Sequence, residues 1–296
     1  MPSWTDVLRE IQAQAALSPL DVVRRKYLAK LSEKTGRNVI AYYSGFLQKD
    51  GKGLDINDND KNSFMAVIHG LDRSKGLDLI LHTPGGNVFA TESLVNYLKI
   101  MFDNDIRVIV PQIAMSAGTM IACASKEIIM GKQSNIGPID PQYGNIPCYG
   151  VLDEFKKAVD DIEREPKTKE VWKVIISKYH PTFVGECQNA IDVSKHIVTV
   201  WLETNMLKDD KDRCEKTRII VDKLSDHSDS KNHSRHYHIE DVKALGLNVT
   251  SMEDDNELQD LVLTVHHCFM HTFSNSVAYK IVENHQNGAV ISNQKS

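Results

Sequence analysis

Apolar residues along this chain keep two different periods. After Ser18-Pro19, a helix cap followed by proline in the first helical position, Leu20, Val23, Tyr27 and Leu31 recur at helical spacing until Gly36 ends the run. Residues 1–36 are therefore expected as an N-terminal helical segment. Asn38–Tyr43 (NVIAYY) is then rich in β-formers, and 51–60 is a polar loop rich in Gly and Asp. From there, strands are expected at Leu77–His82, Ile106–Pro111 and Glu127–Met130, with helices over about 59–70, at Val88–Met101 and from Ser116 onward. Short apolar strands separated by helices of about 10–15 residues predict parallel βαβ units with both sheet faces covered. The fold class read from this pattern is α/β.

Past Asp140 the helical period takes over. Helices are expected at Val151–Arg164, Lys169–Tyr179 and Pro181–Met206, followed by a polar, histidine-rich stretch over 225–238 (SDHSDSKNHSRHYH). A last helix from Asn256 to about Glu283 and a flexible tail over 286–296 complete the chain. No tether rich in Pro, Gly or Ser separates the halves, so 37–285 reads as one domain with a helical elaboration from about 151. No internal repeat is present.

Composition narrows the function. With 296 residues, 41% hydrophobic and 25% charged, the chain can bury a sizeable core, and a net charge of -5 gives nucleic acid no electrostatic reason to bind. The start, MPSWTDVLREIQ, lacks a basic region followed by an apolar core. The most apolar stretch, Val108–Ala124, is interrupted by Pro111, Gln112, Ser116 and Gly118 and falls short of the roughly 20 apolar residues a spanning helix needs. A soluble, cytoplasmic protein that engages neither membrane nor nucleic acid is expected. Cys123, Cys148, Cys187, Cys214 and Cys268 are scattered with no C-x-x-C pair, which predicts free thiols in a reducing compartment. No metal or cofactor is expected. The segment DINDNDKNSFMA (55–66) lacks the sixth-position glycine and twelfth-position carboxylate of a calcium loop, and no GxxxxGK[ST] occurs.

Two strand-to-helix junctions carry candidate chemistry. The first, LILHTPGG (79–86), runs a strand into Gly85 and Gly86 and then a helix. Paired glycines there leave backbone N–H groups unobstructed toward an anion or polarised carbonyl, although a tight turn needing positive φ would use them equally well. The second, VIVPQIAMSAGTM (108–120), leads a strand to Ser116 among small residues. A serine at such a corner can project its hydroxyl from the end of the sheet, with the Ala117 N–H facing the same point; its more ordinary use is to cap the helix.

Taken together, HTPGG, then AMSAGT, then SNIGPIDPQYG (134–144) resemble the ClpP/crotonase superfamily of serine peptidases. The likeness is strongest to its SDH-type Clp-fold serine proteinase branch, related to signal peptide peptidase A, and extends through YYSG (42–45), KYHPTFVGECQNAI (178–191) and ALGLNV (244–249). The resemblance implies a ClpP/crotonase-like core of repeated ββα/βαβ units and a homo-oligomer, built as a ring or stack. It also implies a peptide or protein substrate. Ser116 matches the family nucleophile, Gly86 and Ala117 match the two backbone oxyanion donors, and Gly85 lets the chain approach the substrate.

The proton acceptor is not given by the same match. The Clp subunit's histidine falls about 25 residues after its serine, where this chain has Ile136–Pro141 and no histidine. Related signal-peptide peptidases use a lysine about 40–50 residues downstream, which makes Lys156 the candidate base on the flank of its helix, with Lys157 pointing away. His180 and the group His227, His233, His236 and His238 are other candidates, though a polar histidine-rich loop is usually a solvated surface. A silent Clp-fold scaffold and a crotonase-type enzyme acting on a CoA thioester are the alternatives. The serine at the corner argues against the second, since crotonases need only backbone donors there.

Overall fold

The computed structural model of the chain describes residues 3–15, 18–144, 146–225 and 235–294. The first half comprises α1 (Trp4–Gln12), α2 (Pro19–Thr35), β1 (Asn38–Ser44), α3 (Asp58–Ile68), β2 (Leu77–His82), α4 (Val88–Met101), β3 (Ile106–Val110), β4 (Ile113–Ala114), α5 (Ala117–Ala124), β5 (Glu127–Met130) and β6 (Asn135–Ile136). There follow β7 (Gln142–Tyr143), β8 (Ile146–Pro147), α6 (Cys148–Arg164), α7 (Lys169–Ile176), α8 (Phe183–Trp201) and α9 (Arg213–Ser225). The chain closes with β9 (Tyr237–His238), α10 (Ile239–Ala244), β10 (Val249–Ser251), α11 (Asn256–Asn275), β11 (Ala278–Asn284) and β12 (Ala289–Asn293).

Seven strands form the central sheet in the order β10-β5-β3-β2-β1-β11-β12. The first five are mutually parallel, and β11 and β12 add an antiparallel flank beside β1. Because side chains alternate across a strand, each strand divides its residues between two cores. Ile40, Tyr42, Leu79, Leu81, Val108 and Val110 face a layer that includes α4, α5 and α8, whereas Val39, Ala41, Tyr43, Ile80 and Ile109 face α2 and α11. The α/β reading therefore holds, with helices covering both faces of a mostly parallel sheet.

Three sequence expectations change, two of them at the C-terminal side. The last helix stops at Asn275, not near Glu283, and Ala278–Asn284 becomes β11 at the heart of the antiparallel flank. The 286–296 stretch, expected as a flexible tail, contributes Ala289–Asn293 as β12. Lys280 and Glu283 mimic the polar face of a helix, yet both are buried. Lys280 donates to Asp60, and Glu283 accepts from Arg24 and Arg25. Ion pairs closed over long sequence separations hide such residues from any local periodicity. Third, the strand from Ile106 ends at Val110, and after Pro111-Gln112 the chain enters the separate β4, so that Ser116 follows a short second strand rather than the main-sheet strand itself.

That short strand is fixed from several sides. Ala114 bridges Thr83 at the end of β2, through Thr83 N–H to the Ile113 carbonyl (3.1 Å) and Met115 N–H to the Thr83 carbonyl (3.1 Å). On its other side β4 pairs with β6, and β6 with β9. The Thr119 hydroxyl donates to the Ala114 carbonyl and accepts from the Gly137 N–H, joining the serine corner to the SNIGP loop.

Candidate active site

Ser116 immediately precedes α5 and occupies the cap position, but its side chain makes no capping hydrogen bond. Its backbone lies at φ 52°, ψ -114°, a region that costs a non-glycine residue on the order of 1–3 kcal/mol and persists only where the surroundings impose it. The tethers of β4 and the Met120 N–H bonded to the Ser116 carbonyl supply that constraint. The ordinary use of a serine at this position is therefore absent. The hydroxyl is left to the cleft it lines.

The glycine pair meets this corner directly. Gly85 has φ +106°, and a β-carbon added there would lie 2.7 Å from the Ser116 Cβ, 2.8 Å from the Met115 carbonyl oxygen and 3.2 Å from the Ala117 nitrogen. Gly86 runs beside Ile56 as an isolated parallel bridge. Ile56 N–H donates to the Gly85 carbonyl, and Asn87 N–H donates to the Ile56 carbonyl. In a parallel bridge the flanking residues make these bonds, which leaves the Gly86 N–H on the opposite side, free of the ladder. The Ala117 N–H opens α5 and has no intrahelical acceptor, since the helix-start bond is made instead by Gly118 to the Met115 carbonyl.

A cleft of about 330 Å³ opens over Ser116 and Gly86. Its walls come from Val88 and Phe89 at the start of α4, Met120 on α5, Ile139 and then Pro141 to Gly144 leading through β7, and Asn189, Ala190, Val193 and Ser194 on α8. The described lining residues include no Asp, Glu, Lys, Arg or His. Sequence reading reached the floor of this cleft but missed its far wall. Asn189 and Ala190 lie in the KYHPTFVGECQNAI stretch, whereas Val193 and Ser194 carry no local signal and become visible only when α8 packs across α5.

The candidate bases lie elsewhere in the described residues. Lys156 and Lys157 are exposed on α6 and do not line the cleft. His180 is exposed, with Nδ1 against the Pro181 carbonyl (2.8 Å) and its ring beside Phe183. His236 and His238 are exposed near β9, while His227 and His233 fall outside the described residues. Lys195 follows Ser194 along α8. Burial works to lower its pKa, but Tyr149 and Asp222 outweigh that and raise it, so this amine is held charged. His82, just ahead of the glycine pair, turns to the opposite face of the sheet, against Tyr43, Phe46 and His266.

Buried thiols flank the same region without being nucleophiles. All five cysteines are free. Burial, and then contact with Cys187, pushes the Cys148 thiol up to about 12, and burial alone does the same at Cys123. A thiol so shifted stays protonated and unreactive near neutrality. Among the described residues no group of His, Cys, Asp and Glu is arranged to hold a metal ion.

Comparison with known proteins gives a consistent picture. The sequence model of the ClpP-like SDH-type serine proteinases matches residues 10–282. Two uncharacterized proteins of Methanocaldococcus jannaschii are also similar. One is 35% identical over 146 residues, or 47% of this chain and 50% of its own length. The other is 36% identical over 106 residues, or 36% of each chain. The chain thus spans half the length of the first of these relatives and about a third of the second.

Proposed function

This chain belongs to the ClpP-like SDH-type serine proteinase family, and from that membership we propose that it hydrolyses peptide bonds through an acyl-enzyme on Ser116. The observation that carries the reading is the posture of Ser116. It is held at positive φ with its hydroxyl uncommitted, packed against Gly85, at the floor of a cleft. In this reaction the Ser116 Oγ attacks the scissile carbonyl carbon while the carbonyl oxygen, gaining negative charge, moves toward the Gly86 and Ala117 N–H groups. Each such donor is worth on the order of 3 kcal/mol in the transition state. The amine leaves with a proton, and water then releases the acyl group from Ser116.

The attacking hydroxyl must lose its proton to a base. Lys156 would have to reach the cleft from the exposed surface of α6. The uncharged lining also fits a homo-oligomeric enzyme in which a neighbouring copy closes the cleft. Among the described residues no helix is long and apolar enough to cross a membrane, and the free cysteines fit a reducing compartment.

Intact-mass analysis after incubation with a fluorophosphonate tests the reading. One adduct that disappears in Ser116→Ala supports it, and its survival or loss in Lys156→Ala decides the role of that lysine. A second reading, a catalytically silent Clp-fold scaffold, is favoured by the lack of any Asp, Glu, Lys, Arg or His among the described lining residues. No adduct between about pH 6 and 9 with an intact fold would favour the scaffold.

A further inference from the structure

The segment DINDND (55–60), which lacks the pattern of a calcium loop, is organised around a lysine amine instead. Asp60 on α3 and Lys280 on β11 are both buried, 3% and 4% exposed. The Lys280 amine donates to the two Asp60 carboxylate oxygens (2.9 and 3.1 Å) and to the Asp55 carbonyl (2.7 Å). The same carboxylate accepts from the Tyr42 hydroxyl and from the Asn57 N–H, each at 2.9 Å. Ser44, opposite Lys280 in the β1–β11 pair, donates its hydroxyl to the Leu54 carbonyl (2.7 Å). Leu54, Asp55 and Asn57 are thus tied down by side chains from β1, β11 and α3. The residue between them, Ile56, is the one whose backbone bridges Gly86. Its N–H donates to the Gly85 carbonyl (2.8 Å) and its carbonyl accepts from the Asn87 N–H (2.9 Å), which fixes the two peptide groups on either side of Gly86.

We infer that the buried Lys280–Asp60 ion pair positions the oxyanion donor of this site: by holding Asp55 and Asn57 it fixes Ile56, and through Ile56 the direction of the Gly86 N–H at the Ser116 corner. The inference rests on the reading of Ser116 as nucleophile and Gly86 as oxyanion donor proposed above. Neither Lys280 nor Asp60 lines the cleft, so both are positioning residues that act through the backbone of Ile56. An oxyanion donor helps only when it is aimed in advance at the point where charge develops, and a displacement of about 1 Å at a reacting centre costs ~100-fold in rate. A buried ion pair whose lone pairs and protons are met by further hydrogen bonds is suited to that work, because its partners cannot move apart without leaving a charge uncompensated. Lys280 and Asp60 are 220 residues apart in sequence, so the pair also couples the antiparallel flank of the sheet to the glycine corner.

Fluorophosphonate labelling of four full-length proteins, with kinact separated from KI, tests this: the wild type, Asp60→Asn, the double variant Asp60→Asn/Lys280→Met, and Glu283→Ala as a control. Glu283 lies on the same strand but pairs with Arg24, so its loss breaks a buried ion pair without touching Asp55 or Asn57. Breaking the Lys280–Asp60 pair should lower kinact ~10- to 100-fold and leave KI within ~2-fold of the wild type. Amide hydrogen exchange, followed by NMR, should quicken at least ~10-fold at the Ile56 and Asn87 N–H groups. Glu283→Ala should lower stability yet keep kinact within ~2-fold. The double variant, which removes both charges, decides the matter if Asp60→Asn, with its unpaired buried lysine, does not fold. Wild-type kinact in the folded variants overturns the inference whatever the exchange shows. A comparable loss in Glu283→Ala overturns it as well, since the effect would then be one of general loosening. If the wild type takes no label, the reading of Ser116 falls by itself and exchange alone decides whether the pair holds the glycine corner. Faster exchange at Ile56 and Asn87 sustains that hold, and unchanged exchange overturns it.

Discussion

Gly85 and Ser116 are packed so closely that a β-carbon on the first would lie 2.7 Å from the β-carbon of the second. Gly85 also has φ +106°, so any side chain there is disfavoured twice, by contact and by backbone conformation. Gly85→Ala should therefore displace Ser116 and reduce the fluorophosphonate labelling rate at least ~100-fold, since displacements of about 1 Å cost that much. The melting temperature should drop by only a few degrees. Gly86→Ala should be harsher, because its β-carbon would fall 2.3 Å from the backbone N and O of Ile56.

The strained backbone at Ser116 predicts a trade between stability and reactivity. Glycine adopts φ 52°, ψ -114° without the penalty a side chain incurs, so Ser116→Gly should abolish labelling while raising stability by about 1 kcal/mol. For a domain of this size that is about 2 °C in melting temperature. Ser116→Ala removes the same hydroxyl but retains the strain, and should melt close to the wild type. Differential scanning calorimetry of the two variants side by side reads the strain directly. Equal melting temperatures would remove strain from the account of this corner.

The burial of His82 predicts a protein that loses stability in acid. It is fully buried and neither ring nitrogen has a full hydrogen-bond partner. Burial pushes its pKa down to about 3, against a weak upward pull from Ile113. His266, which packs edge-on against it, is lowered as well, first by burial and then by His82. With the folded value below the unfolded one, the neutral form favours folding. Its stability is complete above pH ~6.5 and declines as the pH falls from there toward about 3. At pH 5 the loss from His82 should be about 2 kcal/mol. His82→Leu, which removes a titrating group and two unpartnered nitrogens, should flatten the acid limb of a urea-denaturation series between about pH 6.5 and 4.

Glu283 anchors the antiparallel flank. Its buried carboxylate accepts from Arg24 Nε (2.5 Å) and Arg25 Nε (2.7 Å), and Arg24 is itself wholly buried. Glu283→Ala would leave the Arg24 guanidinium with only Asp21 and Thr272 for partners, and should destabilise by about 3–5 kcal/mol. The double variant Arg24→Met/Glu283→Met should recover much of that loss, because the desolvation of both charges disappears with them. Chemical denaturation of the three proteins checks both statements.

The sequence by itself determined the parts of this protein that depend on neighbours along the chain. Alternation of β-rich runs with amphipathic helices gave the βαβ core, and HTPGG and AMSAGT placed two candidate corners at strand ends, because turn glycines and small residues are selected by local backbone geometry. Tertiary structure alone decided what depends on partners far away. Ala278–Asn284 reads as helix until Lys280 meets Asp60 and Glu283 meets Arg24, and the last residues read as a tail until they pair with that strand. Likewise, nothing near Ser194 in sequence says that it borders the cleft of a serine 78 positions earlier, or that Lys156 is exposed on α6 outside that cleft. Periodicity encodes which face of an element is buried. Only the packing of α8 over α5 and the closure of long-range ion pairs fixes what that face meets.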